Sequence, residues 1–164
     1  MNRTNKTIKK SKCLQNLTMK DNFMFGAVMS EPENCKGFLE MVLGISIDRV
    51  EIDVERSMIY NPEYKGIRLD VYAKDEHNTH YNVEMQAQRE TELGRRSRYY
   101  HSQIDMEILL TGVEYAELPD TYVIFVCDFD PFGEGKYRGV STVILGHSDG
   151  REATQEELEE KMDL

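Results

Sequence analysis

Arg68-Leu69-Asp70-Val71-Tyr72 and Tyr81-Asn82-Val83-Glu84-Met85-Gln86 decide the fold of this chain. In the first stretch Ile67, Leu69, Val71 and Ala73 alternate with Arg68, Asp70, Tyr72 and Lys74; in the second Tyr81, Val83 and Met85 alternate with His80, Asn82, Glu84 and Gln86. A period of two is the signature of a strand with one apolar and one polar face. The intervening Asp75-Glu76-His77-Asn78-Thr79 is charged and polar, so the two stretches predict an antiparallel hairpin with a shared polar face.

The same pattern constrains the register, because paired residues point to one side and the apolar residues of both strands must share the buried side. A turn centred on His77 meets that condition and sets Asp70 opposite Glu84, with Cβ atoms about 4.5–5.5 Å apart. Opposed carboxylates repel, so the fold gains nothing from them unless a cation joins them. Mg²⁺ is typically held by one or two carboxylates together with phosphate oxygens. The pair is therefore a candidate metal site.

Outward from the hairpin the pattern changes on both sides. Met19, Phe23, Phe25, Ala27 and Val28, then Phe38, Leu39, Met41, Val42 and Leu43, predict two amphipathic helices broken at Glu31-Pro32-Glu33-Asn34, with Gly44 as the C-terminal cap of the second. Val50 to Ile59 reads as a first strand, followed by a turn at Asn61-Pro62-Glu63. After Gln86, residues from about Thr91 to Leu110 place Leu93, Tyr99, Tyr100, Ile104, Ile108 and Leu109 near helical spacing, with an end near Gly112. Tyr122-Val123-Ile124-Phe125-Val126-Cys127 is continuously apolar, as expected of a strand buried on both faces and pairing parallel to a neighbour. Val140 to Leu145 suggests a last strand, and Thr154 to Met162 a polar helix opened by Thr154 with Glu157 in the capping-box position. Helices, three strands, a helix and a strand make an α/β fold with a mixed central sheet flanked by helices.

The chain has 164 residues, of which 40% are hydrophobic and 30% charged, enough for one soluble domain with a real core. No apolar run approaches the roughly 20 residues of a membrane span. The start carries Arg3, Lys6, Lys9, Lys10 and Lys12 but leads into no apolar stretch, so a secretory leader is not expected and the cytoplasm is. Residues 1–16 read as a flexible basic arm, 17–150 as the folded domain and 151–164 as an acidic tail. Cys13, Cys35 and Cys127 are odd in number and scattered, which argues against a disulfide framework or zinc knuckle. His77, His80, His101 and His147 are dispersed and predict no histidine metal site. A net charge of −10 argues against nucleic-acid binding through the overall field, although the start and the stretch Arg89 to Arg98 are locally basic.

With these residues in view, the chain resembles the PD-(D/E)XK nuclease superfamily, and within it the bacterial branch of PD-(D/E)XK nuclease family transposases, similar to the recombination-promoting nucleases. The resemblance covers about residues 17–145. It is carried by Asp21-Asn22-Phe23-Met24-Phe25, by the strand pair Gly66 to Val71 with Tyr81 to Gln86, by Arg96-Ser97-Arg98-Tyr99-Tyr100, and by Tyr122-Val123-Ile124-Phe125 leading to Asp128-Phe129-Asp130-Pro131-Phe132-Gly133. It implies a restriction-endonuclease-like core and a Mg²⁺-dependent DNA endonuclease, with Mn²⁺ able to substitute. By the same resemblance Asp70, Glu84 and the backbone carbonyl of Met85 would hold the metal. Asp70, Glu84 and Gln86 would form the catalytic set, and Arg96 and Tyr100 would touch the DNA backbone or brace the site. Most of the superfamily has Lys where this chain has Gln86. Gln can orient water or donate to a phosphate oxygen, but it brings no charge and is no base near neutral pH. DNA is the implied partner, and a homodimer would provide the two active sites that double-strand cleavage needs.

Three other readings compete with this one. Members of the branch usually carry more helical sequence after the Asp-Pro-Phe-Gly region than the stretch that ends here at Leu164, so a truncated, inactive copy serving as a DNA-binding or interaction module is the main alternative. A nuclease for RNA would share the same metal chemistry. From the pattern alone, Asp70 and Glu84 also fit an ordinary solvated strand face. Arg95, Arg96 and Arg98 likewise fit a solvated helix face paired with Glu90 and Glu92.

Overall fold

The computed structural model describes residues 16–59, 65–110 and 114–133, together with positions 63, 112, 135 and 139. The expected arm before residue 16, the Asn61-Pro62 part of the turn, the strand over Val140–Leu145 and the helix over Thr154–Met162 lie outside the described residues. The chain divides into two compact units, Met1–Pro131 and Phe132–Leu164, and every element below belongs to the first.

Two helices open it, α1 over Asn22–Met29 and α2 over Pro32–Leu43. Pro32 takes the first position of α2, where its missing N–H costs nothing. Gly44 ends α2 in the left-handed conformation at φ 74°, the cap expected of a glycine there. Three strands follow, β1 over Val50–Met58, β2 over Ile67–Asp75 and β3 over His80–Gln86. Helix α3 spans Leu93–Ile108, one turn shorter at its end than the periodicity suggests, and β4 spans Thr121–Cys127. The sheet order is β1-β2-β3-β4, with β1 to β3 antiparallel and β4 parallel to β3. Parallel neighbours need a crossover connection, and α3 provides it.

The hairpin register is the one centred on His77: Val71 pairs with Val83, Tyr72 with Asn82, Ala73 with Tyr81 and Lys74 with His80. Asp75 fixes the turn. Its Oδ1 accepts from the N–H groups of His77 and Thr79 at 2.9 and 2.8 Å, its Oδ2 accepts from the Tyr81 hydroxyl at 2.7 Å, and Asn78 adopts a left-handed φ of 66°.

The two faces of the sheet are covered differently. Val71, Ala73, Tyr81, Val83 and Met85 pack with Phe25 and Met29 of α1 and Cys35 and Leu39 of α2. Opposite them, Tyr100 and Ile104 of α3 pack with Tyr72, Val123 and Phe125, joined by Met58, Ile67 and Leu69. Because α3 covers that face, β3 is buried along its whole length, including His80, Asn82, Glu84 and Gln86. A solvated strand face is thereby excluded for Glu84. Strand β4 departs from expectation in the other direction. It pairs parallel to β3, but its residues are half-buried, with Tyr122 exposed, because β3 is its one neighbour in the described sheet. Among the described residues, no helix is long and apolar enough to cross a membrane.

Candidate active site

Beyond the Val71–Val83 pair the β2–β3 ladder stops, and the next register position holds Asp70 and Glu84. Here side chains replace the ladder. The Asp70 N–H donates to Glu84 Oε1 at 3.2 Å, and the Met85 N–H donates to Asp70 Oδ2 at 3.1 Å. Each carboxylate thus takes up a backbone donor of the opposite strand, which fixes both acids where the strands part. The N–H and C=O of a strand residue leave on the same side. The Gln86 carbonyl accepts from the Asp128 N–H on the β4 side, so the peptide groups of Met85 face β2, beside Asp70.

The ladder is also interrupted on the other flank of β2. Val54 pairs with Val71 and Arg56 with Leu69, which leaves Glu55 at the register position of Asp70, exposed and with a left-handed φ of 56°. The structure places this acid across from the pair, a position that alternation along β1 alone does not reveal.

Helix α3 closes the site from above. Arg96, Tyr100 and Ile104 recur at intervals of four, so they share the face turned to the sheet. Arg96 Nη2 donates to Glu84 Oε2 at 2.8 Å, while Nη1 donates to Gln86 Oε1 and to Glu90 Oε2, both at 3.0 Å. Its Nε donates to the Tyr100 hydroxyl at 2.8 Å, and that hydroxyl donates in turn to Glu84 Oε2 at 3.4 Å. The guanidinium carbon lies 5.2 Å from the Tyr100 ring centre and 5.6 Å from that of Phe125. Tyr100, expected to touch the DNA backbone or brace the site, is 7% exposed and its hydroxyl accepts from Arg96 within the fold. Glu90 and Phe125 complete this shell; Arg96 is the signal that leads to them, Glu90 as an acid within reach of it and Phe125 as the ring beneath it.

Glu84 is 1% exposed. Burial first, and the neighbouring Asp70 charge second, push its carboxyl up to about 7, against the opposing pull of the Asp70 N–H and of Arg96. Asn82, one pleat away on the same face, is 0% exposed, and neither atom of its amide has a hydrogen-bond partner. It lies near enough to favour the Glu84 carboxylate yet makes no hydrogen bond to it. Sequence periodicity gives Asn82 no special standing.

Asp70, Glu84 and the Met85 carbonyl are all oxygen donors, the set a hard divalent cation prefers. No group of three or more His, Cys, Asp or Glu residues that could hold a metal occurs among the described residues, so any cation here relies on two carboxylates completed by peptide, water or phosphate oxygens. A cavity of about 450 Å³ lies elsewhere, lined by Glu51, Arg56, Tyr72, Lys74, His80 and Glu107 among others, and neither Asp70 nor Glu84 borders it.

Neither a curated protein nor a solved structure matches the chain. The sequence model of one family does, over residues 19–163, a span that contains the hairpin, α3 and β4. The four-stranded mixed sheet and its flanking helices agree with the restriction-endonuclease-like α/β fold that this family implies. The chain belongs to the PD-(D/E)XK nuclease family transposases.

Proposed function

We propose that the chain is a divalent-metal-dependent DNA endonuclease that hydrolyses phosphodiester bonds, with Mg²⁺ as the working cation and Mn²⁺ able to replace it. The observation that carries this reading is the exchange between Asp70 and Glu84. Two acids sit at the break in the ladder, each held by the other strand's backbone, with an oxygen-only donor set between them. Asp70, Glu84 and the Met85 carbonyl would hold the cation, which supplies a lowered pKa for its water and neutralisation of the charge that develops on phosphate. Gln86 orients water or a phosphate oxygen through its amide. Arg96 and Tyr100 hold Glu84 and Gln86 in place, and the partly exposed Arg96 would also contact the DNA backbone. The free thiols of Cys35 and Cys127 and a DNA substrate fit the cytoplasm, and cleavage of both strands fits a homodimer.

Plasmid nicking and linearisation with Mg²⁺ or Mn²⁺ tests the reading. Wild type should cut, and folded Asp70→Asn and Glu84→Gln should not. The competing reading, an inactive DNA-binding module, draws on one observation: Glu84 already has Arg96 as its counter-ion. Calorimetric titration with Mn²⁺ separates the two, since a module of that kind binds no metal at Asp70 and Glu84.

A further inference from the structure

Position 86 leaves a deficit. A nuclease of the proposed kind must offset the negative charge that builds on the phosphate, and Gln86 contributes none. The guanidinium nearest to it is on α3. Arg96 reaches Gln86 Oε1 through Nη1 at 3.0 Å and Glu84 Oε2 through Nη2 at 2.8 Å, so one planar fork spans both motif positions of β3. Four further contacts hold it there: Glu90 at 3.0 Å, the Tyr100 hydroxyl at 2.8 Å, and the rings of Tyr100 and Phe125 at 5.2 and 5.6 Å.

We propose that Arg96 supplies, from helix α3, the positive charge that residue 86 does not carry, and at the same time sets the orientation of the Gln86 amide. The second half follows from donor chemistry. A guanidinium has donors and no acceptor, so the group facing it must be the Gln86 carbonyl oxygen, and the amide NH₂ is turned away from Arg96 and available to donate. The first half follows from charge. Arg96 balances the buried Glu84 and the half-exposed Glu90 in the chain as it stands; once Glu84 is shared with a cation, Glu90 is the remaining counter-ion, and a pair this exposed to solvent is weak enough for the guanidinium beside Gln86 to turn to a phosphate. Arginine stays protonated at any working pH and its flat fork matches a phosphate. This inference deepens the nuclease reading and rests on it.

A charge swap tests it in the full chain. Arg96→Gln, Gln86→Lys and the double variant are compared for plasmid cleavage, with thermal melting and Mn²⁺ affinity measured on each. Arg96→Gln should melt cooperatively, still bind Mn²⁺, and lose about 100-fold or more in cleavage rate, the loss expected when one preorganised charge-stabilising donor is removed. Gln86→Lys in the same chain should recover at least about tenfold of it. Cleavage by Arg96→Gln close to wild type, or a folded double variant no faster than Arg96→Gln, overturns the proposal. Should Arg96→Gln fail to fold, Arg96→Lys keeps the charge and loses the fork; strong residual cleavage supports the proposal, and a loss as deep as that of Asp70→Asn overturns it. A wild type that cuts no DNA refutes the nuclease reading separately. The charge is then read from duplex DNA binding, which Arg96→Gln should weaken and Gln86→Lys restore, with unchanged affinity counting against Arg96.

Discussion

Asp70 and Glu84 are joined through each other's backbones: the Asp70 N–H donates to Glu84 Oε1 at 3.2 Å, and the N–H of Met85, next to Glu84, donates to Asp70 Oδ2 at 3.1 Å. Like charges are thus held together by peptide donors where the β2–β3 ladder ends. The arrangement trades electrostatic repulsion for satisfied N–H groups.

That exchange separates two substitutions at Asp70. Asp70→Asn keeps an oxygen acceptor for the Met85 N–H and removes the charge, so the fold should survive while metal binding is lost. Asp70→Ala removes both and leaves a buried donor unpaired, a loss of about 1–3 kcal/mol, offset in part by relief of repulsion with Glu84. Urea melts should rank Asp70→Asn above Asp70→Ala. Equal stabilities would mean that the Met85 N–H does not depend on Asp70.

How far the sequence reaches is clear at this pair. Period two excludes the registers that put apolar residues on the wrong side, which is half of them, and among those left a turn centred on His77 in the polar break places Asp70 across from Glu84. What alternation cannot show is that a helix covers the polar side. His80, Asn82, Glu84 and Gln86 read as a wet face and are buried under Tyr100 and Ile104. Arg96 could be read as inward from its spacing to Tyr100 and Ile104, and Glu90 as an acid within its reach, although its contacts with Glu84 and Gln86 could not. The left-handed backbone at Glu55 has no local sequence signal, since nothing in Val54-Glu55-Arg56 asks for it.

The raised carboxyl of Glu84 has a defined signature in pH. Its ordinary value is 4.5 and in the fold it is pushed up to about 7, by burial and then by Asp70. Between those values the folded state binds more protons than the unfolded one, so this group's contribution to stability is complete below pH 4.5 and is lost as pH rises through about 7. Glu76 acts in the opposite sense, held down to about 2 by backbone N–H groups, that of Asp48 first, so wild type alone does not isolate Glu84. The difference in melting temperature between wild type and Glu84→Gln should change over this window, with wild type losing ground toward neutral pH, and Mg²⁺ should shrink the change. A difference that stays flat from pH 4.5 to 7 would refute the assignment.

Asn82 is expected to oppose stability and support function. Its amide is fully buried with neither atom paired, a cost of about 1–3 kcal/mol. Asn82→Leu, close in volume, should therefore raise stability by about 1 kcal/mol. The amide also favours the charged form of Glu84, so the same variant should bind Mn²⁺ more weakly. Denaturant melts and calorimetry on one pair of proteins check both signs. A less stable Asn82→Leu would show that the amide has a partner and is not orphaned.

Tyr100 divides a DNA-contacting role from a bracing one. Its hydroxyl accepts from Arg96 Nε at 2.8 Å and donates to Glu84 Oε2 at 3.4 Å, and the residue is 7% exposed, too little to meet a DNA backbone as the helix now lies. Tyr100→Phe preserves the ring against Phe125 and the cation–π contact with Arg96 while deleting both hydrogen bonds. Outer-shell partners of this kind are worth about 10–100-fold in metal affinity or activity. Cleavage should therefore fall by about tenfold, and duplex DNA affinity, measured by fluorescence anisotropy without metal, should not move. If affinity falls and the cleavage rate at saturating DNA is unchanged, Tyr100 meets the nucleic acid, and α3 must shift to let it do so.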